Sequence, residues 1–219
     1  MTEFSPFVRR PVLDPKGFYP EVVLPYGMTV DEVRGAMEDV YNFLHCVNTA
    51  LVSNGLDSLE DTILGNSFSG IVSELCVLGI DRHSNVFVRN RKIGGHPDLI
   101  LAGMYWGNSV LKSSEGIEVK ASIHPGGWQG HNPEPVWVMI FQYKVDTVTE
   151  PKESRAPLVF AMVMAAKLEE SDWSFSGRAG ASRRTPTASI LKSGTQKLHA
   201  NPVYEDPNYK TGRTRPPAG

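Results

Sequence analysis

The sequence predicts an α/β protein in which two helices precede a mixed central sheet of about five strands, with a Pro-rich arm before and a basic segment after. Three observations carry this. Over 29–54, and again from Asn66, apolar residues recur at three and four, the period of a helix with one buried face. From Asn85 the period drops to two and β-branched residues dominate, as in strands. Two late runs, Val136 to Phe141 and Leu158 to Met164, are apolar on both faces and so belong in the middle of the sheet.

Taken in order, residues 1–28 set Pro6, Pro11, Pro15, Pro20 and Pro25 among Phe4, Phe7, Phe18, Tyr19 and Tyr26. Such a segment resists helix and sheet but can lie across a surface. Thr29-Val30-Asp31-Glu32 is a capping box that opens a helix running to about Asn54, with Val33, Met37, Val40, Phe43, Leu44 and Val47 on its apolar face. Asn66 can cap a second helix with Phe68, Ile71, Val72, Leu75 and Leu78 in one stripe and Glu74 at its border. Strands are expected at 86–93, 98–103, 116–122, 136–145 and 158–168, and the polar stretch 146–156 is a loop ending at Pro157. Met162 and Met164 are core filler. Beyond Ala200 the composition suggests a tail without a core of its own. The division is an arm (1–28), one domain (29–200) and a polar tail (201–219).

A chain of 219 residues and 24.1 kDa suits one sizeable core. An apolar share of 41% with 21% charged residues excludes a wholly disordered chain and a membrane protein. The longest apolar run, 158–166, is half a membrane span, and the N-terminus lacks the basic start and apolar stretch of a secretory signal. The expected location is the cytoplasm. Cys46 and Cys76 form no Cys-x-x-Cys and are expected to be buried small hydrophobes.

The net charge of −2 hides an asymmetry, because residues 1–150 hold 11 Lys+Arg against 18 Asp+Glu while 151–219 hold 11 against 6. Within 176–200, Arg178, Arg183, Arg184, Lys192 and Lys197 stand with no acid among them. That is what a phosphate-facing surface needs, and a solvated basic loop reads the same way.

The chemistry centres on Pro97-Asp98 and Glu118-Val119-Lys120. Residues two apart on a strand share a face, so Glu118 and Lys120 point the same way while Val119 points into the core. If Asp98 ends the neighbouring strand, its carboxylate meets Glu118, and two hard oxygen ligands suit Mg²⁺, with the Val119 backbone carbonyl as a third. Lys120 then orients water and stabilises charge. A turn residue at Asp98 and a solvated pair at Glu118 and Lys120 are the structural alternative. The loop Gly126-Gly127-Trp128-Gln129-Gly130-His131-Asn132 follows closely; Trp128, Gln129 and Asn132 offer stacking and hydrogen bonds to DNA, or simply a turn with a buried Trp. His96 either approaches the substrate or is satisfied within its loop.

Pro97-Asp98, nineteen intervening residues, then Glu118-x-Lys120 resembles the PD-(D/E)xK nuclease superfamily, over roughly 66–144. The resemblance implies a restriction-endonuclease-like fold and a hydrolase that cuts DNA with Mg²⁺, for which Mn²⁺ can substitute. Asp98, Glu118 and Lys120 are then catalytic, and Glu74 is the acidic residue such proteins often add from the preceding helix as a further metal ligand. It also implies a restriction or defence role and a homodimer. The alternatives are a DNA-binding or assembly module of the same fold without turnover, or a structure-specific or RNA nuclease.

Overall fold

The computed structural model describes residues 8–63, 65–130, 133, 135–176 and 187–209. Helix α1 (Val30–Ser53) opens on the expected capping box: the Thr29 hydroxyl accepts from the Glu32 amide, and the Glu32 carboxylate accepts from the Thr29 amide. A single turn, α2 (Leu59–Thr62), lies in the connection and is too short to show a period. Helix α3 (Asn66–His83) is capped by Gly65 rather than Asn66, which is its first helical residue. Its buried side is Phe68, Val72, Cys76, Val77 and Ile80, a face rotated from the expected stripe, and Leu78 is exposed. The two long helices cross closely, since a Cβ on Gly79 would stand 2.7 Å from the Ala36 backbone.

The strands are β1 (Phe87–Arg89), β2 (Leu99–Leu101), β3 (Ile117–Ser122), β4 (Gln129–Gly130), β5 (Trp137–Lys144), β6 (Val159–Lys167), β7 (Trp173–Ser176), β8 (Thr187–Ile190) and β9 (Pro202–Glu205). Six form the central sheet, in the order β1-β2-β3-β5-β6-β9, and β4-β8-β7 form a second. Among the described residues only the β3 to β5 strand pairing is parallel, so the central sheet is mixed. The five expected strands are β1, β2, β3, β5 and β6, the first two shorter than their sequence pattern. β5 and β6 sit inside the sheet as expected. Met139, Phe141 and Val163 face a core with α1 and α3, while Val138, Ile140, Met162 and Met164 face a second core under β7, β8 and α4 (Lys192–Ala200).

Over 201–209, the described part of the segment after Ala200, the chain is not coreless. β9 pairs antiparallel with β6, and Val203 and Tyr204 are buried. A four-residue strand has no periodicity to read and depends on an edge supplied by β6. The arm lies across that edge as its composition suggested: Phe18 bridges to Tyr204, and the Tyr19 amide donates to the Val203 carbonyl at 3.1 Å. Cys76 is buried as expected, whereas Cys46 is exposed on the outer face of α1. Among the described residues no helix is long and apolar enough to cross a membrane.

Asp172 ties α4 to the second sheet. Its carboxylate is 2% exposed and accepts from the Glu169 amide at 2.9 Å and from Lys197 Nζ at 2.5 Å. Burial works to raise this carboxyl, but the Glu169 amide, Lys197 and Ser193 outweigh it and hold the pKa below its ordinary value. Its contribution is therefore present above the unfolded carboxyl pKa and is lost as pH falls through the lower, folded one. Asp172→Ala should lower unfolding free energy by about 2 kcal/mol at neutral pH, read by urea denaturation. The deficit should shrink in acid, and a constant deficit would remove the charge from the explanation.

Candidate active site

The pairing of β2 with β3 sets Leu99 opposite Ile117, both fully buried, so the next residues outward, Asp98 and Glu118, share the opposite face. The Val119 amide donates to Asp98 Oδ2 at 2.9 Å. Lys120 shares the Glu118 face and its Nζ donates to Glu118 Oε1 at 2.9 Å, while His96 Nδ1 lies 2.8 Å from Oε2. The side chains of Glu118 and Lys120 are only 16% and 17% exposed. This is not a solvated strand face.

Burial, and then the negative charge of Glu118, push the Asp98 carboxyl up to about 7. Burial acts on Glu118 in the same direction, but Lys120 and His96 outweigh it and hold that carboxyl low. Two carboxylates this close cannot both be comfortably ionised without added positive charge. The Val119 carbonyl accepts from Ser73 Oγ at 3.0 Å, which leaves one of its two lone pairs for another partner.

These groups form the floor of an open cleft of about 1070 Å³. One wall is α3, with Glu74 and Asp81; the other is the β1–β2 hairpin and the chain beyond it, with Arg89, Arg91, Lys92 and Lys112. Glu74 lines the cleft, turned to Arg89 with Oε2 2.5 Å from Nη2. Among the described residues no group of three or more His, Cys, Asp and Glu side chains converges on a metal position. A smaller cavity of about 310 Å³ lies between α1 and the β5–β6 connection. Among its carboxylates, Asp61 is engaged by Arg155 at 2.6 Å, Asp57 by Lys152 at 2.7 Å and Glu60 by Asn48 at 2.7 Å.

The outer DNA-contact expectations fare differently. Trp128 is 4% exposed, packs in the second core, and its Nε1 donates to the His124 carbonyl at 3.2 Å; with no free ring face it cannot stack on a base. Trp128→Ala should cost about 3–5 kcal/mol of stability, measured by denaturant unfolding, and a neutral result would return the ring to a surface role. Gln129 is exposed on β4, and Lys192 is exposed at the first position of α4; neither lines the cleft. Asn132, Arg178, Arg183 and Arg184 lie outside the described residues.

The sequence reading missed the cationic wall. Its signal was the run Arg89-Asn90-Arg91-Lys92, separated only by Ile93 from Gly94-Gly95-His96-Pro97-Asp98. His96, for which two readings stood open, lies on the cleft floor with Nδ1 2.8 Å from Glu118 Oε2. Scans of protein families and of curated proteins find no match to this chain.

Proposed function

We propose that the chain is a Mg²⁺-dependent DNA endonuclease of the PD-(D/E)xK, restriction-endonuclease-like type, hydrolysing phosphodiester bonds with Asp98, Glu118 and Lys120. The observation that supports it most is the floor of the cleft, where β2 and β3 bring two half-buried carboxylates and a lysine onto one face below a cationic wall. The donor set fits Mg²⁺, which takes one or two carboxylates and otherwise keeps water. Asp98, Glu118 and the Val119 carbonyl would hold the ion, with Mn²⁺ able to replace it; Glu74, held by Arg89, would not. The ion supplies Lewis-acid neutralisation of phosphate charge and a lowered water pKa.

The chain's own groups do the rest. Lys120, fixed by Glu118, places a positive charge where negative charge grows on the phosphoryl oxygens and orients the attacking water. Arg89, Arg91, Lys92 and Lys112 draw the DNA backbone to the cleft. A restriction or defence role in the cytoplasm, and a homodimer that cuts both strands, complete the reading and rest on the family resemblance alone.

A module that binds DNA without turnover is the second reading. It is favoured by Glu118, whose two oxygens are both engaged, by Lys120 and by His96. Plasmid conversion on a gel separates the two. The nuclease should nick or linearise DNA in Mg²⁺ or Mn²⁺ and stop in chelator, with DNA from several sources used in case a site or modification is required. Equal cleavage in excess chelator would sink the metal mechanism; binding without cleavage in every metal would leave the second reading.

A further inference from the structure

We infer that the loops 90–97 and 103–113 form a rigid platform on which Trp106 stacks an unpaired base, so that the cleft takes DNA with at least one unstacked nucleotide. The inference rests on the nuclease reading of the cleft and names its substrate class. Trp106 and Ile93 are each 96% exposed, and Leu111 and Met104 beside them in the chain are exposed as well. Exposed apolar side chains scattered singly need no explanation, but four within one pair of stitched loops do, and two of them, Ile93 and Leu111, line the charged cleft.

The exposure does not come from loose chain. Asn90 is 9% exposed and spends its whole side chain on holding the loops together. Its Nδ2 donates to the carbonyls of Pro97 at 3.1 Å and Val110 at 2.9 Å, and its Oδ1 accepts from the amides of Lys92 and Val110. The Arg91 amide donates to the Asn108 carbonyl at 2.9 Å, the His96 amide to Leu111 at 3.1 Å, and the Ser113 amide to His96 at 2.9 Å. Gly107 and Asn108 both take left-handed φ values, +63 and +52, and this turn sets the direction in which Trp106 leaves the surface. The platform thus presents its ring without paying to order it on binding.

Charge identifies the occupant. Residues 89–112 contain Arg89, Arg91, Lys92 and Lys112 and a single acid, Asp98, which sits on the cleft floor. Arg91 and Lys92 are exposed and make no ion pair among the described residues. A cationic groove with an exposed aromatic ring on a loop tied to its wall, here through Arg91 and Asn108, is a composition that binds a single strand: cations follow the phosphates and the ring takes a base. In an intact duplex both faces of each base are already stacked, and opening a step costs a few kcal/mol. A single strand, or a duplex opened at the cleft, is therefore preferred.

The test is binding in chelator, where no cleavage intervenes. A labelled sixteen-nucleotide oligothymidylate is titrated with the whole protein by fluorescence anisotropy, with the matching dA·dT duplex as comparison. The single strand should bind more tightly and should quench tryptophan emission, a signal assigned to Trp106 by its loss in Trp106→Phe, since Trp173 also lines the cleft while Trp128 is buried in the second core. Trp106→Ala should weaken single-strand binding about tenfold and Trp106→Phe should restore most of it. Arg91→Ala should instead lower the salt slope by about one. With Trp106 so exposed the variants should fold, which circular dichroism checks. Unchanged affinity in Trp106→Ala, or tighter binding of the duplex, overturns the platform, and metal-dependent cleavage would then still uphold the nuclease reading. Binding that depends on Trp106 without cleavage in any metal keeps the platform and removes the nuclease.

Discussion

Asp98→Ala and Lys120→Ala should each lower DNA cleavage by a hundredfold or more, about 3 kcal/mol of transition-state stabilisation, and should part company in metal affinity. Asp98 contributes an oxygen donor, so its loss should weaken Mn²⁺ or Mg²⁺ binding in calorimetry together with the rate. Lys120 contributes charge beside Glu118 Oε1, at 2.9 Å, and its loss leaves both carboxylates in place. Metal should then still bind while cleavage collapses. Asp98→Ala should not unfold the protein, because it removes one of two repelling carboxylates, whereas Lys120→Ala takes a counter-charge from Glu118, so circular dichroism checks that this variant is folded before its rate is read. Asp98 in particular is held with its carboxyl pushed up to about 7, a measure of how poorly its charge is accommodated. Single-turnover cleavage of plasmid DNA gives the rates. Wild-type cleavage by either variant would make the match to Pro97-Asp98 and Glu118-x-Lys120 a coincidence of short motifs.

The largest stability effect at the site should come from Gly116→Ala, with a loss of roughly 4 kcal/mol or failure to fold. Gly116 leads into β3 with φ +134, a backbone conformation open in practice only to glycine. A Cβ there would stand 2.1 Å from the Leu99 carbonyl oxygen and 2.6 Å from Pro97 Cγ. Both contacts are with the chain that carries Asp98, so relief of the clash means parting β2 from β3. The ladder that holds Asp98 against the Val119 amide would open with it. Urea denaturation of a soluble variant measures the effect, and stability within 1 kcal/mol of the parent would show that the close approach is not needed.

Both long helices and five of the central strands were legible because each buries one regular face or two, and periodic burial leaves a periodic sequence. A single turn such as α2 and a two-residue strand such as β4 leave none, and β9 depends on the edge that β6 supplies, so none of the three shows in the sequence, whereas β1 and β2 lie within longer runs that do. β7 fell where no strand was expected, and β8 inside a segment whose basic charge drew the reading toward a loop. Within the site, Glu118 and Lys120 could be paired from spacing alone, since i and i+2 on a strand must share a face. Asp98 could only be placed conditionally, because whether two strands pair is a long-range fact. Trp128 shows the opposite failure: glycines around a tryptophan suggest an exposed tip, yet the ring fills the space between β5, β6 and α4.

What the sequence determined by itself is local: the capping box at Thr29, the apolar period of α1, the doubly apolar β5 and β6, and the common face of Glu118 and Lys120. Tertiary structure alone decided the rest. It set Asp98 beside Glu118 by the register of Leu99 on Ile117, turned Glu74 to Arg89, and brought His96 to Glu118. It also buried Trp128 and left Trp106 in solvent. Local pattern fixes which way a side chain leaves the backbone within its own element. Which other element it then meets depends on strand order and loop closure, and neither leaves a periodic trace in the chain.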